Sequence, residues 1–384
     1  MNPLSLLALA AGSVVLAHGS WWTLLSLAAL KRPGLPVKAK REWKFVVVVP
    51  AHDEELLVAS TVASLLAAPF RPRPEVLVVA DNCTDGTAEV ARAAGATVLV
   101  RTDPARRGKS FALDFAIESL AARGEVPGAL LFVDADTTVS ANLFEAVASR
   151  LERGAMAVQV HYAAAGSESE LARLRRLAFL LVHWARPLGA ARLGLGTSLK
   201  GNGMAMPWDV VRGGLGGAGL VEDAATSLWL ARRGIAVRFE PSATVWGQMA
   251  ASYEDAAIQD RRWEGGRFAL MRDALGVTAT AVVRGRIAVA AGALEVASLP
   301  LTVLGGLALI VVIAGAAGLL PIWLAVAAPG SLAAYAATGW LAARASPRDL
   351  VALARAPRFV LHKGRVYLSL LRDRAPRNWE RTAR

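Results

Sequence analysis

Two stretches of this chain carry no charge. Between Pro3 and Leu30 the only titratable side chain is His18, and Val296 to Ala343 contains no charged residue at all. A helix of roughly 20 apolar residues crosses the ~30 Å hydrocarbon core of a bilayer. The first stretch therefore predicts one span, and the second, too long for one, predicts two with a break at Gly318–Pro321. A cleaved leader would start basic and have a shorter apolar core. This chain starts Met1-Asn2-Pro3, and Lys31, Arg32, Lys38, Lys40, Arg41 and Lys44 follow the span instead. Basic flanks stay in the cytoplasm, so the segment after the first span is expected there. Two further spans return the tail to the same side, and from Arg344 on it carries eleven Lys/Arg against three Asp/Glu. The expectation is a multi-pass inner (plasma) membrane protein with a cytoplasmic soluble middle.

The chain is 54% hydrophobic and 19% charged with a net charge of +12. Such a balance suits a membrane surface or an anionic substrate. The sequence shows no zinc-finger, helix-turn-helix or ribonucleoprotein signature, and much of the basic excess abuts the apolar stretches, so nucleic acid is not expected as a partner. The single cysteine, Cys83, excludes an intrachain disulfide.

The soluble middle alternates strand and helix patterns. Phe45–Val49 reads as a strand closed by Pro50, and Glu54–Leu66 as a helix. Glu75–Val79, Thr97–Val100 and Leu130–Val133 read as further strands, with helices over Ala88–Ala94 and Lys109–Ala121 between them. This alternation predicts an α/β domain with a mostly parallel sheet and right-handed crossovers. No Gly-x-Gly-x-x-Gly follows the first strand, which argues against a dinucleotide site. The fourth strand runs straight into Asp134-Ala135-Asp136. Ligands of open α/β sheets bind at the carboxyl ends of strands, and paired carboxylates there suit a hard divalent cation, Mg²⁺ or Mn²⁺. An Asp-rich turn would account for the same pair.

Beyond Ala165, Arg173–Leu195 predicts an amphipathic interfacial helix. Its arginines, Arg173, Arg175, Arg176 and Arg186, read either as a surface for lipid headgroups or an anionic acceptor, or as a plain solvated face. Gly201-Asn202-Gly203-Met204 predicts a turn entering a short apolar run, and Gly213–Gly219 a mobile loop. Glu222-Asp223 opens a helix through Gly234, where the helix dipole alone favours acidic residues. Arg238–Pro241 and Thr244–Trp246 read as two strand fragments. Tyr253–Leu275 reads as a helix carrying Gln259-Asp260-Arg261-Arg262-Trp263, and Val351–Leu371 as another interfacial helix. His161, His183 and His362 lack metal-ligand spacing.

Seven motifs occur in a fixed order: Val-Val-Pro-Ala-His-Asp-Glu-Glu, Asp-Asn-Cys-Thr-Asp-Gly-Thr, Arg-Arg-Gly-Lys-Ser, Val-Asp-Ala-Asp, Gly-Asn-Gly-Met, Val-Glu-Asp and Gln-Asp-Arg-Arg-Trp. With them the stretch from Lys44 to Arg267, plus the flanking spans, resembles the membrane-integrated inverting glycosyltransferases of family two, the group of the cellulose, chitin and hyaluronan synthases. Asp53 is a departure, since many relatives carry Asn before the paired glutamates. The resemblance implies a GT-A-type nucleotide-sugar-binding domain over residues 44–250, between an N-terminal transmembrane helix (1–31) and interfacial helices (251–290). Two transmembrane helices (294–343) and a basic tail (344–384) follow. It implies a nucleotide-sugar donor, a UDP-sugar by preference, with Asp81 on the base or ribose, Glu54 near the ribose and Asp223 as the base that deprotonates the acceptor. A cation held by Asp136, with Asp134 on the sugar or ribose side, would stabilise charge on the leaving diphosphate. Lys109, with Arg106 and Arg107 nearby, would pair with phosphate oxygens. Gln259, Arg262 and Trp263, at i, i+3 and i+4, share a helix face; there Trp263 can stack on a sugar and Arg262 can meet the diphosphate.

The function expected is β-transfer of a hexosyl or N-acetylhexosaminyl group to a growing polysaccharide, with a lipid acceptor as the alternative. Export of a glycan through three spans would require a homo-oligomer or partner. A membrane scaffold that kept the fold without turnover is the reading of another class.

Overall fold

In the computed structural model the chain is described over residues 2–34, 38–165, 170–216, 221–248, 253–347 and 356–372, without the side chains at 170–172, 253–259, 262, 356–359, 361 and 371. The apolar runs form β1 (Phe45–Ala51), β2 (Glu75–Asp81), β3 (Thr97–Arg101) and β4 (Ala129–Phe132), and these four strands pair in parallel in the order β3-β2-β1-β4. Successive residues of β1 serve opposite faces. Val47 and Val49 pack with α2 (Val58–Ala67) and α5 (Leu143–Glu152). Val46 and Val48 pack with Leu113, Ile117 and Leu120 of α4 (Lys109–Ala122). A strand covered on both faces needs no polar alternation, which is why these segments read as unbroken apolar runs. A short helix, α3 (Thr87–Ala93), makes the crossover from β2 to β3.

Pro50 does not close β1; it stays in register with Val79 of β2. Val48 O accepts from Val133 N on the β4 side. Pro50, two residues on, faces that same side, where β4 has ended, so its missing N–H costs no ladder bond.

The sheet is mostly parallel, as expected, but three of its strand pairs are antiparallel. Beyond β4 come β5 (Thr137–Val139), β6 (Val158–Ala165), β7 (Met204–Pro207) and β8 (Arg238–Gln248), and the whole eight-stranded order is β3-β2-β1-β4-β7-β6-β8-β5. The β4–β7, β6–β7 and β5–β8 pairs are antiparallel, and β6–β8 is parallel. The turn at Gly201–Gly203 brings β7 in reversed beside β4. The two fragments expected over residues 238–246 are one strand, β8, with a register shift opposite Val160/His161.

Outside the sheet, α1 (Pro3–Ala28) packs against α12 (Leu301–Ala316) and α13 (Ile322–Ala343). Two of these, α1 and α13, are long and apolar enough to cross a membrane. The third, α12, reaches that length only together with α11 (Ile287–Ala297), to which it is joined at a 73° bend. The break at Gly318–Pro321 is where the sequence puts it.

Residues Arg173–Leu195 form α6 (Glu170–Phe179), a π-turn (Leu180–Ala185) and α7 (Arg186–Arg192). Neither Arg175 nor Arg186 lies on a solvated face, each being 5% exposed. The Arg186 guanidinium sits 3.4 Å from the ring centre of Trp22 on α1 and donates to the Tyr335 hydroxyl of α13 at 2.6 Å. A cation over an aromatic face, shielded from water, stabilises by about 2 kcal/mol. It thereby ties α7 to α1 and α13.

The helix expected to end at Leu275 continues to Val283 as α10 (Tyr253–Val283), following α8 (Trp208–Val211) and α9 (Glu222–Arg232). The last helix, α14 (Ala356–Arg372), sends Lys363 to Asp260 and Glu264 of α10, both at 3.0 Å. Residues 217–219 of the expected glycine loop and 351–355 of the expected tail helix lie outside the described residues.

At Gly189 of α7, a Cβ would fall within the Leu25 carbonyl of α1. Gly189→Ala should therefore destabilise by about 1–3 kcal/mol, as overpacking does. A thermal melt of the detergent-solubilised chain checks this; an unchanged midpoint would contradict the α1–α7 contact.

Candidate active site

β4 ends at Phe132, and its continuation delivers Asp134 and Asp136 to the carboxyl edge of the parallel half. α4 begins at Lys109, and the Lys109 ammonium donates to Asp134 Oδ1 at 2.5 Å and to Gly201 O at 2.6 Å, and pairs with Glu222 Oε1 at 3.3 Å. An ammonium has three donors; two of them are given to Asp134 and Gly201, and Glu222 is an ion-pair neighbour. Burial disfavours the charge, but Asp134 and Glu222 outweigh it and hold the Lys109 pKa above its ordinary value. Burial and the neighbouring Asp223 and Asp134 charges push the Glu222 carboxyl up, against the pull of Lys109.

Asp136 is buried and joined to the same place by a relay. Its Oδ1 accepts from Thr137 Oγ1 at 3.2 Å, and Thr137 Oγ1 accepts from Asn202 Nδ2 at 2.8 Å. Asn202 Oδ1 in turn accepts from the Asp134 backbone N–H at 3.2 Å. Asn202, fully buried, is thus the clamp on both aspartates. Its flanking glycines have positive φ, and a Cβ on Gly203 would meet Val160 and Val245. Only glycine suits such a backbone. Asp223 stands at the start of α9, its Oδ1 accepting from Ala224 N at 2.8 Å and its Oδ2 on the open face of Gly201 beside Lys109. Asp134, Glu222 and Asp223 therefore gather around Lys109 and the Gly201 turn, and Asp136 is joined to them through Thr137 and Asn202. Their donor set, carboxylate oxygens at the end of a buried strand, fits a hard divalent cation.

On the other side of β1, Asp81 is 5% exposed, and its Oδ1 accepts from Arg101 at 2.6 Å and from Asn82 at 3.0 Å. Glu54 donates through its backbone N–H to Thr87 Oγ1 at 2.8 Å, and it precedes α2 rather than lying in it. Asp53, Cys83 and Asp85 approach within 4.8 Å of one another. Both carboxylates there staple the loops: Asp53 accepts from Thr84 N at 2.6 Å and Asp85 from Thr87 N at 3.0 Å. Arg106 pairs with Asp103 at 2.8 Å.

Trp263 is half-buried on α10, and one turn further on Gly266 packs against Val221, the residue before Glu222. The helix bearing Gln259-x-x-Arg262-Trp263 thus abuts the start of α9. The side chains of Gln259 and Arg262 lie outside the described residues.

Sequence reasoning missed the buried pair beneath the loop. Glu295 of α11 accepts from Thr197 Oγ1, Ser198 N and Lys200 Nζ, each at 2.7 Å. Lys200 N donates to Gln159 Oε1 at 2.8 Å, directly before Gly201. Nothing in the local pattern marks two residues 95 positions apart as partners. The absence of charge after Glu295 is the one hint that it sits at a boundary.

The family model described as glycosyltransferase like family 2 matches residues 41–266, more than half of the chain, and the chain belongs to that family. It shares its fold with a mannosyltransferase from Pyrobaculum calidifontis, solved with GDP-Man and Mn²⁺, at 17% identity over 95% of each chain and a TM-score of 0.56. A glucosyl-3-phosphoglycerate synthase from Mycobacterium tuberculosis, solved with Mn²⁺, UDP and phosphoglyceric acid, aligns over 59% of this chain and 80% of that one at 23% identity, with a TM-score of 0.40. No curated protein sequence matches.

Glu295→Gln leaves the Lys200 ammonium buried without its counter-charge, which costs about 3–5 kcal/mol. We expect a melt lowered accordingly, and Lys200→Met/Glu295→Leu to recover most of the loss. Equal melts for the wild type and Glu295→Gln would contradict the pair's importance.

Proposed function

We propose that this chain is an inverting, divalent-cation-dependent glycosyltransferase that moves a sugar from a nucleotide-diphosphate donor, a UDP-sugar by resemblance, to an acceptor at the cytoplasmic membrane face. The observation that carries the reading is the convergence of Asp134, Asp136, Glu222 and Asp223 on Lys109 and the Gly201–Asn202 turn. Asp136, with Asp134, would hold the cation. Bound there, it supplies Lewis-acid stabilisation of the departing diphosphate. Lys109 sits beside these carboxylates and limits their mutual repulsion. Asp223 has a half-buried position beside Gly201 from which a base could take the proton of an attacking hydroxyl. Asp81, held by Arg101, and Glu54 line the far side of β1 as the nucleoside subsite. Trp263 offers an aromatic face to the acceptor sugar, with Gln259 and Arg262 on the same helix face.

The acceptor we favour is a lipid. Trp22 and Tyr335 are fully buried between α1 and α13, and a Cβ on Gly12 or Gly19 of α1 would meet Leu324 or Ser331. A bundle packed this closely offers no lumen among the described residues for a glycan. The second reading, a growing polysaccharide, is favoured by the Gln259-x-x-Arg262-Trp263 motif and requires a homo-oligomer or an export partner.

Purified full-length chain in lipid, given donor and Mn²⁺, separates these by product mass: one sugar on a lipid, or a ladder. Asp223→Asn should keep donor binding and lose transfer by about 10²–10⁴-fold, the usual contribution of a positioned base. Near-normal transfer by this variant would remove Asp223 from the role.

A further inference from the structure

The C-terminal half of α10 carries a second basic feature that the proposed reaction does not use. Arg272, Gly276 and Thr280 fall at i, i+4 and i+8 on one helix face. With the end of α9 and the α10–α11 turn they enclose a cleft of about 740 Å³. Four arginines line it, Arg232, Arg272, Arg284 and Arg286, against a single acid, Asp273. Arg232 takes up that acid, donating to Asp273 Oδ1 at 2.5 Å. The other three guanidinium groups make no ion pair or hydrogen bond among the described residues. Above Gly276 a Cβ would meet nothing within 4 Å, so the floor is open.

The surroundings of the cleft are apolar and uncovered. Val283 is 87% exposed, with Leu275, Val282 and Ile287 about half exposed beside it. Ile287 and Leu294 are the exposed large residues of α11, and α11 leads through its bend into the apolar α12. Cations interleaved with exposed aliphatic side chains are the pattern of a surface lying in the headgroup layer. A soluble anion would account for the arginines and leave the aliphatic rim in water. The catalytic carboxylates lie at the opposite end of α9, about 14 Å from Arg232 at the helical rise, so the two features are separate.

We propose that this cleft binds the phosphate headgroup of an anionic membrane lipid, with Arg272, Arg284 and Arg286 on the phosphate oxygens and the Val282–Val283 and Ile287 side chains among the upper acyl carbons. The lipid seats α10 and α11 at a fixed depth and serves as an anchor rather than as the sugar acceptor. The inference rests on the membrane-face location proposed above.

The test uses full-length chain in a neutral detergent, with native mass spectrometry counting bound phosphatidylglycerol and phosphatidylcholine. The wild type should retain phosphatidylglycerol about tenfold better than phosphatidylcholine. Arg272→Gln/Arg284→Gln/Arg286→Gln should lose that preference, while the corresponding triple Lys variant and Arg92→Gln, a charge removed elsewhere, should keep it. Equal retention of both lipids by the wild type, or a triple Gln variant that still prefers phosphatidylglycerol, overturns the site. So does displacement of phosphatidylglycerol by millimolar inorganic phosphate, which would mark a soluble-anion site. Carbonate washing of membranes, done alongside, tests the membrane location by itself: release of the chain by carbonate would refute that location whatever the lipid counts show.

Discussion

The site depends on one ammonium group. Lys109 opens α4, yet its donors reach the end of β4, the turn before β7 and the start of α9. Without a cation there, Asp134, Glu222 and Asp223 would oppose one another across a few ångströms in a partly desolvated pocket, where like charges repel far more strongly than in water. The lysine converts that repulsion into a cluster that holds its shape. It also explains why the glycine turn is needed, since a side chain at Gly201 would stand between Lys109 and Asp223.

A second set of polar contacts links this cluster to the apolar part of the chain. Glu295 fixes Thr197, Ser198 and Lys200, and the next residues are Gly201 and Asn202, which set the two β4 aspartates. Arg186 does similar work for the bundle, meeting Trp22 and Tyr335. The Lys200 charge is buried with its counter-charge in place, as desolvation demands, whereas Arg186 is buried against two aromatic rings. The sheet and the apolar helices are therefore joined by specific polar contacts as well as by area.

The β1–β4 half was legible because β1, β2 and β4 are buried on both faces and leave unbroken apolar runs. The mixed half was not. β5 and β7 are short, β6 mixes Gln159 and His161 into its run, and strand direction leaves no mark on composition. Asp134, Asp136, Glu222 and Asp223 were legible as carboxylates at element ends. Their convergence was not, because it is made by Lys109 and Asn202, whose partners lie far along the chain. Charge alone misled at Arg175 and Arg186: a cation in an apolar–aromatic segment reads as exposed, whereas here Arg175 pairs with Asp260 at 3.3 Å and Arg186 lies against the Trp22 and Tyr335 rings. Asp81 likewise gave no sign that Arg101 would hold it.

The central claim is that carboxylates from distant segments act as one cation–diphosphate site, and it is tested most directly by Mn²⁺ electron paramagnetic resonance of the full-length chain, titrated with and without UDP. The account predicts protein-bound Mn²⁺ that tightens when UDP is added, and at least a tenfold loss of that binding in Asp136→Asn, roughly what one lost metal contact costs. Mn²⁺ and UDP bound equally well by Asp136→Asn and the wild type would contradict it.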